Sequence, residues 1–89
     1  MISVIIPAYN SEQTIDSCVM SVLQQNIGNR NIEILVINDG STDRTGEILD
    51  SLKKEQTVLQ VYHIPNGGVS HARNYGICHA KGEQLLFLD

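Results

Sequence analysis

Four short apolar runs, separated by amphipathic stretches, set the rhythm of this chain. Ile2–Pro7 (ISVIIP) is rich in β-branched residues and ends in a proline. Ile32–Asn38 (IEILVIN), Val58–Ile64 (VLQVYHI) and Gln84–Leu88 (QLLFL) repeat the theme. Apolar residues on both alternations of a strand require cover on both of its faces, as in a parallel sheet. Between the first two runs, Ile15, Cys18, Val19, Val22 and Leu23 follow the i, i+3, i+4, i+7, i+8 spacing of a helix with one buried face. Asn10 or Ser11 is placed to cap it, and Glu12 suits its positive end. Ile48, Leu49 and Leu52 mark a second helix, with Ser41 or Thr42 as cap and Asp43 in its first turn. Lys53 and Lys54 stand near its far end, where positive charge is favourable. A third helix, about Ser70–Ala80, carries Ala72, Gly76 and Ala80 in one row. Small residues there let a helix lie close to a sheet, although a mid-helix glycine costs roughly 1 kcal/mol.

The order β-α-β-α-β-α-β predicts a three-layer α/β/α domain with a mainly parallel, Rossmann-like sheet of about four strands. Right-handed crossovers prune the topologies, and the expected strand order is 3-2-1-4. Ligands of such sheets sit beyond the carboxyl ends of the strands.

Composition narrows the classes of partner. The chain has 89 residues, 42% of them hydrophobic and 18% charged, which is a globular balance for one small domain. A domain of this size buries only roughly 60–65% of its chain surface. The formal charge of −4 argues against nucleic acid, whose backbone demands a basic surface. No apolar run reaches the roughly 18–20 residues of a membrane span. Met1–Pro7 lacks the basic segment and cleavage site of a secretion signal, so a cytoplasmic protein is expected. Cys18 and Cys78 lie in different helices without Cys-x-x-Cys spacing, which reads as reduced packing cysteines.

Each strand delivers polar or turn-forming residues to the same rim. Pro7-Ala8-Tyr9-Asn10 follows strand one, and Asn38-Asp39-Gly40-Ser41-Thr42-Asp43 follows strand two. Pro65-Asn66-Gly67-Gly68-Val69-Ser70 follows strand three, and Asp89 closes strand four. Tyr9 can stack on a flat heterocycle or pack on a neighbouring loop. Asp39 can accept an N–H from the edge of a base, or close an Asx-turn beside a positive-φ Gly40. Asn66-Gly67-Gly68 precedes a helix whose first N–H groups can meet a phosphate. It matches neither the phosphate loop ending in Gly-Lys-Ser/Thr nor the Gly-x-Gly-x-x-Gly fingerprint. Arg73, one turn on, offers a guanidinium fork to a phosphate or base, or sits as a plain surface charge. His63, His71 and His79 lack ligand neighbours at metal spacing and read as structural or solvated.

Ser3-Val4-Ile5-Ile6-Pro7-Ala8-Tyr9-Asn10, Ile32 to Asp43, and Asn66 to Ser70 with Ala72 to Gly76 together resemble family 2 glycosyltransferases of the GT-A fold. Glu12, Ser21–Gln25, Gly82-Glu83 and Leu85–Asp89 continue the resemblance over essentially the whole chain. It implies a nucleotide site built from Pro7, Tyr9, Asp39, Arg73 and Asp89, with Tyr9 near the base and Asp39 bonded to it. Asp89 is then the first acid of an Asp-x-Asp metal motif and the candidate ligand of Mg²⁺ or Mn²⁺. The family transfers a sugar from a nucleotide donor, here a UDP-sugar, to an acceptor hydroxyl on a glycan or lipid-linked chain, with inversion. The implied setting is the cytoplasm or, for the parent protein, the inner face of the membrane, and the implied product a polysaccharide or other glycan. Two departures matter. Asn38 stands where the family usually has an acid, and the metal motif stops after its first residue. The expectation is therefore a donor-binding part, residues 1–89, with no catalytic residue of its own and no ion bound. A freestanding nucleotide-binding half-domain is the alternative. A sugar-nucleotide pyrophosphorylase ranks lower, because Pro7-Ala8-Tyr9-Asn10 is not a basic Gly-rich loop. Self-association through an apolar strand-four edge is also expected.

Overall fold

A computed structural model describes residues 1–25 and 31–88. Its elements, in chain order, are β1 (Ile2–Ala8), α1 (Ile15–Gln25), β2 (Ile32–Asp39), α2 (Thr45–Glu55), β3 (Leu59–Ile64), α3 (Val69–His79) and β4 (Gln84–Phe87). The strands form one parallel sheet in the order β3-β2-β1-β4, as the sequence predicts. Ile2 pairs with Ile32 on one side and Gln84 on the other, while Asp39 pairs with Ile64. The carboxyl ends of β1, β2 and β3 therefore finish on a common rim.

The double alternation of the strands has a direct structural meaning. Val4, Ile6, Ala8, Ile34 and Val36 face one way and pack with Ile15, Val19 and Val22 of α1 and Leu49 of α2. Ile5, Leu35 and Ile37 face the other way, against Ala72 of α3. Ile5, Leu35 and Ile37 are completely buried, and each such side chain contributes about 1.5–3 kcal/mol relative to exposure. Gly76 is what lets α3 lie so near. A Cβ there would fall 2.5 Å from Ile5 Cγ2, closer than any packing permits. Cys18 packs beside the α1 core and Cys78 lies on the surface, both as free thiols.

β4 departs from the pattern. Its apolar residues predict cover on both faces, yet Leu85, Leu86 and Phe87 are 41%, 50% and 40% exposed. The helices pack against β1, β2 and β3, and β4 pairs only with β1. Leu88 alone among its neighbours reaches the core beside α1 and α2.

At the opposite end from the rim lies a buried polar junction. Glu33, in the second position of β2, accepts the Ser3 hydroxyl and the Lys81 N–H on Oε2, both at 2.6 Å, and Gln60 Nε2 on Oε1 at 2.8 Å. Ser3 Oγ in turn accepts the Gly82 N–H at 2.8 Å. One carboxylate thus ties β1, β2, β3 and the α3–β4 turn together. Burial pushes the Glu33 pKa up, but the donors from Ser3, Lys81, Gln60 and Gly82 outweigh it and hold the carboxyl below its ordinary value. The folded carboxyl is therefore the stronger acid. Its contribution is full above the ordinary carboxylate range and is lost as pH falls through the folded-state value. Glu33→Gln is expected to cost about 1–3 kcal/mol at neutral pH, because an amide N–H₂ then faces donors. Urea unfolding should show the gap between the two proteins narrowing on acidification, with ligand affinity at the distant rim unchanged.

Candidate functional site

The rim is assembled by loops that cap one another rather than themselves. Asn10 adopts φ +48°, and its Oδ1 accepts the Thr42 N–H at 2.8 Å, while its own N–H goes to Ser41 Oγ at 3.0 Å. The Ser11 N–H donates to Thr45 Oγ1 at 2.8 Å, and the Glu12 N–H to Asp43 Oδ2 at 3.2 Å. Glu12 Oε1 receives the Arg44 N–H in return. The expected local caps are thus corrected: Asn10 serves the β2–α2 loop, and the Ser11 hydroxyl turns back to the Tyr9 carbonyl. Asp43 stands before α2 rather than within it, and its Oδ1 accepts both the N–H and the hydroxyl of Thr45. Partial burial raises the Asp43 pKa, but the Thr45 donors and the Glu12 N–H hold it below the ordinary aspartate value. A carboxylate at the start of two helices satisfies N–H groups that would otherwise lack partners.

Asp39, the last residue of β2, is buried, with 4% of its surface exposed. Oδ1 accepts the Gly67 N–H at 2.8 Å and Oδ2 the Gly68 N–H at 3.0 Å. Asn66 Nδ2 closes the junction on the Asp39 carbonyl at 2.9 Å. The N–H groups of both glycines before α3 are therefore given to Asp39. Gly40, at φ +68°, makes the junction possible, since a Cβ on it would lie 2.5 Å from the Asn66 nitrogen. A carboxylate has about four lone-pair positions, so two N–H groups leave Asp39 able to accept another donor.

That capacity borders a cleft of about 240 Å³ lined by Pro7, Ala8, Tyr9, Asp39, Asn66, Gly68 and Val69. Tyr9 (52% exposed) and Val69 (50% exposed) form its open apolar sides. The cleft thus combines a flat aromatic ring, apolar walls and one fixed acceptor, the provision needed to hold a planar ring by its face and edge. Pro7, Tyr9 and Asp39 thus line one cleft. Arg73, half-buried one turn into α3, is not among the lining residues. Asp89 lies outside the described residues. Sequence reasoning passed over Ala8 and Val69 as walls, and it did not foresee the Asn66–Gly68 turn as the clamp on Asp39. Two glycines before a helix were the signal for close backbone approach, but not for its partner.

Among the described residues, no three His, Cys, Asp or Glu side chains gather as a metal-binding group. The described residues do not by themselves provide a divalent-cation site. Among them too, no helix is long and apolar enough to cross a membrane.

Comparison with known proteins decides the family. The glycosyl transferase family 2 model matches residues 3–89. The chain belongs to glycosyltransferase family 2. It is 43% identical over 89 residues to the uncharacterized glycosyltransferase EpsJ of Bacillus subtilis (strain 168), covering 100% of this chain and 25% of that protein. The crystal structure of S. aureus TarS 1–349 in complex with UDP-GlcNAc superposes with a TM-score of 0.87 at 36% identity, over 99% of this chain and 26% of TarS 1–349. The mannosyltransferase PcManGT from Pyrobaculum calidifontis, in complex with GDP-Man and Mn²⁺, gives a TM-score of 0.80 at 25% identity, over 94% of this chain and 25% of that one. The chain thus spans about a quarter of the length of these proteins. Over that quarter, this family 2 chain has the α/β architecture of the TarS domain.

Proposed function

We propose that this chain is the donor-binding part of a glycosyltransferase that moves a sugar from a UDP-sugar to an acceptor hydroxyl, with inversion. The observation that carries the reading is the meeting of Tyr9 and the clamped Asp39 in one cleft. Family membership supports it, as does the similarity to a TarS structure that contains UDP-GlcNAc. In this reading uracil lies between Pro7 and Tyr9, and its imide N–H donates to Asp39. Because Asp39 is fixed by two backbone amides, the acceptor is in place before the ligand arrives, and little ordering cost is left for binding. The base so held directs the ribose and diphosphate away from the cleft and over the rim. Arg73 and Asp89 complete the proposed nucleotide set. A divalent cation, with Asp89 as its candidate ligand, would supply charge neutralisation for the departing diphosphate. The sugar acceptor, a glycan or lipid-linked chain, and the base that deprotonates it are assigned to no residue here.

Calorimetric titration with UDP and Mn²⁺ tests the reading. Tyr9→Ala is expected to weaken UDP binding by roughly 10–100-fold, the equivalent of about 1–3 kcal/mol of base stacking. Equal affinity in both proteins would contradict it. Since Tyr9 is half exposed and outside the core clusters, the thermal stability of the variant should be nearly unchanged.

A further inference from the structure

One polar chain behind the cleft is used by neither the core nor the caps. It begins on α2 and ends beneath the β2–α2 turn. Asp50 Oδ1 lies 2.9 Å from His63 Nε2, and His63 Nδ1 lies 2.9 Å from Asn38 Nδ2. Asn38 Oδ1 accepts the Ser41 N–H at 3.3 Å.

The roles in this chain follow from the donor inventory. A backbone N–H can only donate, so Ser41 requires the oxygen of Asn38 on its side. The Asn38 NH₂ group therefore faces His63. An amide NH₂ also can only donate, so Nδ1 of His63 must accept. The ring proton then sits on Nε2, where Asp50 receives it. Every atom of the chain has its complement in this one arrangement. Register favours it too, since Asn38 and His63 are directly paired between β2 and β3. Gly46 stands over the pair, and a Cβ there would lie 3.1 Å from Asn38 Nδ2 and 3.5 Å from His63 Cε1.

We infer that His63 is a positioning residue for the nucleotide site. By accepting from Asn38 it fixes the turn that carries both Asp39 and Ser41. Asp39 is the acceptor wall of the cleft. Ser41 Oγ receives the Asn10 N–H, and Asn10 follows Tyr9 directly. The same imidazole therefore sets the two walls, aromatic and acidic, against each other. Asn38, in place of an acid, matches this tautomer: an aspartate there would present oxygens to Nδ1 and call for a proton on both ring nitrogens. His63 touches no ligand in this scheme. It acts through Asn38, and its side chain is 46% exposed, so its removal leaves the core packing intact.

The inference rests on the proposed base site, and the experiment separates the two. The ring ¹⁵N shifts of His63 in the intact polypeptide are read first, without ligand. They are expected to show a bare Nδ1 and a protonated Nε2, and Asn38→Asp is expected to protonate both nitrogens. A wild-type ring protonated on Nδ1 overturns the inference whatever binds the cleft. UDP affinity is then compared among wild type, His63→Leu and His63→Gln. His63→Leu should weaken UDP about 10-fold and speed hydrogen exchange at Ser41. His63→Gln, whose amide can accept from Asn38 while donating to Asp50, should stay within about 3-fold. Unchanged affinity and exchange in His63→Leu, or equal loss in both variants, overturns it. Failure of the wild-type protein to bind UDP, with the ¹⁵N and exchange results as expected, counts against the base-site reading alone and supports His63 as the anchor of the turn.

Discussion

Replacing Asp39 by alanine is expected to weaken UDP binding by roughly 100-fold, the upper range for a hydrogen bond to a charged group. Two losses combine in that result. The direct one is the acceptor for the imide N–H of the base. The indirect one is the clamp, since the N–H groups of Gly67 and Gly68 both end on this carboxylate. Without it the Asn66–Gly68 turn loses both of its N–H bonds to the Asp39 side chain, although Asn66 Nδ2 still reaches the residue 39 carbonyl, and the floor of the cleft loosens. Stability should fall by about 1–3 kcal/mol, the cost of leaving such donors to find water or nothing. Asp39→Asn separates the two losses. Its one amide oxygen still accepts from one glycine N–H while its NH₂ faces the other, so only part of the stability should return. Its NH₂ group opposes the donor of the base, so affinity should not. Urea unfolding and calorimetry on the two variants check both halves of the expectation.

Gly40→Ala should do nearly as much damage from the neighbouring position, with no polar group removed. At φ +68° an L side chain costs about 1–2 kcal/mol. The added Cβ would also meet the Asn66 nitrogen at 2.5 Å and its Cβ at 2.8 Å. Backbone cannot swing aside as a long side chain can, so the two loops must part, at a further cost of about 1–3 kcal/mol. A total loss of about 2–5 kcal/mol is expected, with UDP binding weakened because Gly67 and Gly68 are carried away from Asp39. Denaturant titration reads the first effect and UDP calorimetry the second. A variant of full stability and affinity would show that the approach of these loops is looser than described.

The sheet was legible because its signal is repeated at every residue. Ile5, Leu35 and Ile37 on one alternation and Val4, Ile6 and Val36 on the other cannot all be buried unless helices lie on both sides. β4 carried the same signal, yet among the described residues only β1 pairs with it and its side chains stay largely exposed, which composition alone does not reveal. The caps were misread because side chains at a helix start choose partners in space. Asn10 and Asp43 look like local caps in sequence, but each reaches across more than 30 residues to the other loop. Glu33 was hidden for a related reason. A carboxylate within an apolar strand shows no periodicity, and its donors, Ser3, Gln60 and Lys81, come from distant segments.

The site was legible in part. Pro7, Tyr9 and Asp39 stand at the carboxyl ends of adjacent parallel strands, so topology alone brings them to one rim. The clamp on Asp39 was not, since it depends on where a glycine-rich turn comes to rest. His63 read as a structural or solvated histidine, lacking any nearby partner in sequence. Its partners, Asn38 and Asp50, become visible only when β3 is laid beside β2 and beneath α2.

The central claim is that uracil is held between the ring of Tyr9 and the carboxylate of Asp39. A crystal structure of the protein grown with UDP measures this most directly. Density for the base against Tyr9, with its imide nitrogen within hydrogen-bond distance of Asp39, is the predicted result. A base bound elsewhere, with the Pro7–Tyr9–Asp39 cleft holding only solvent, would contradict it.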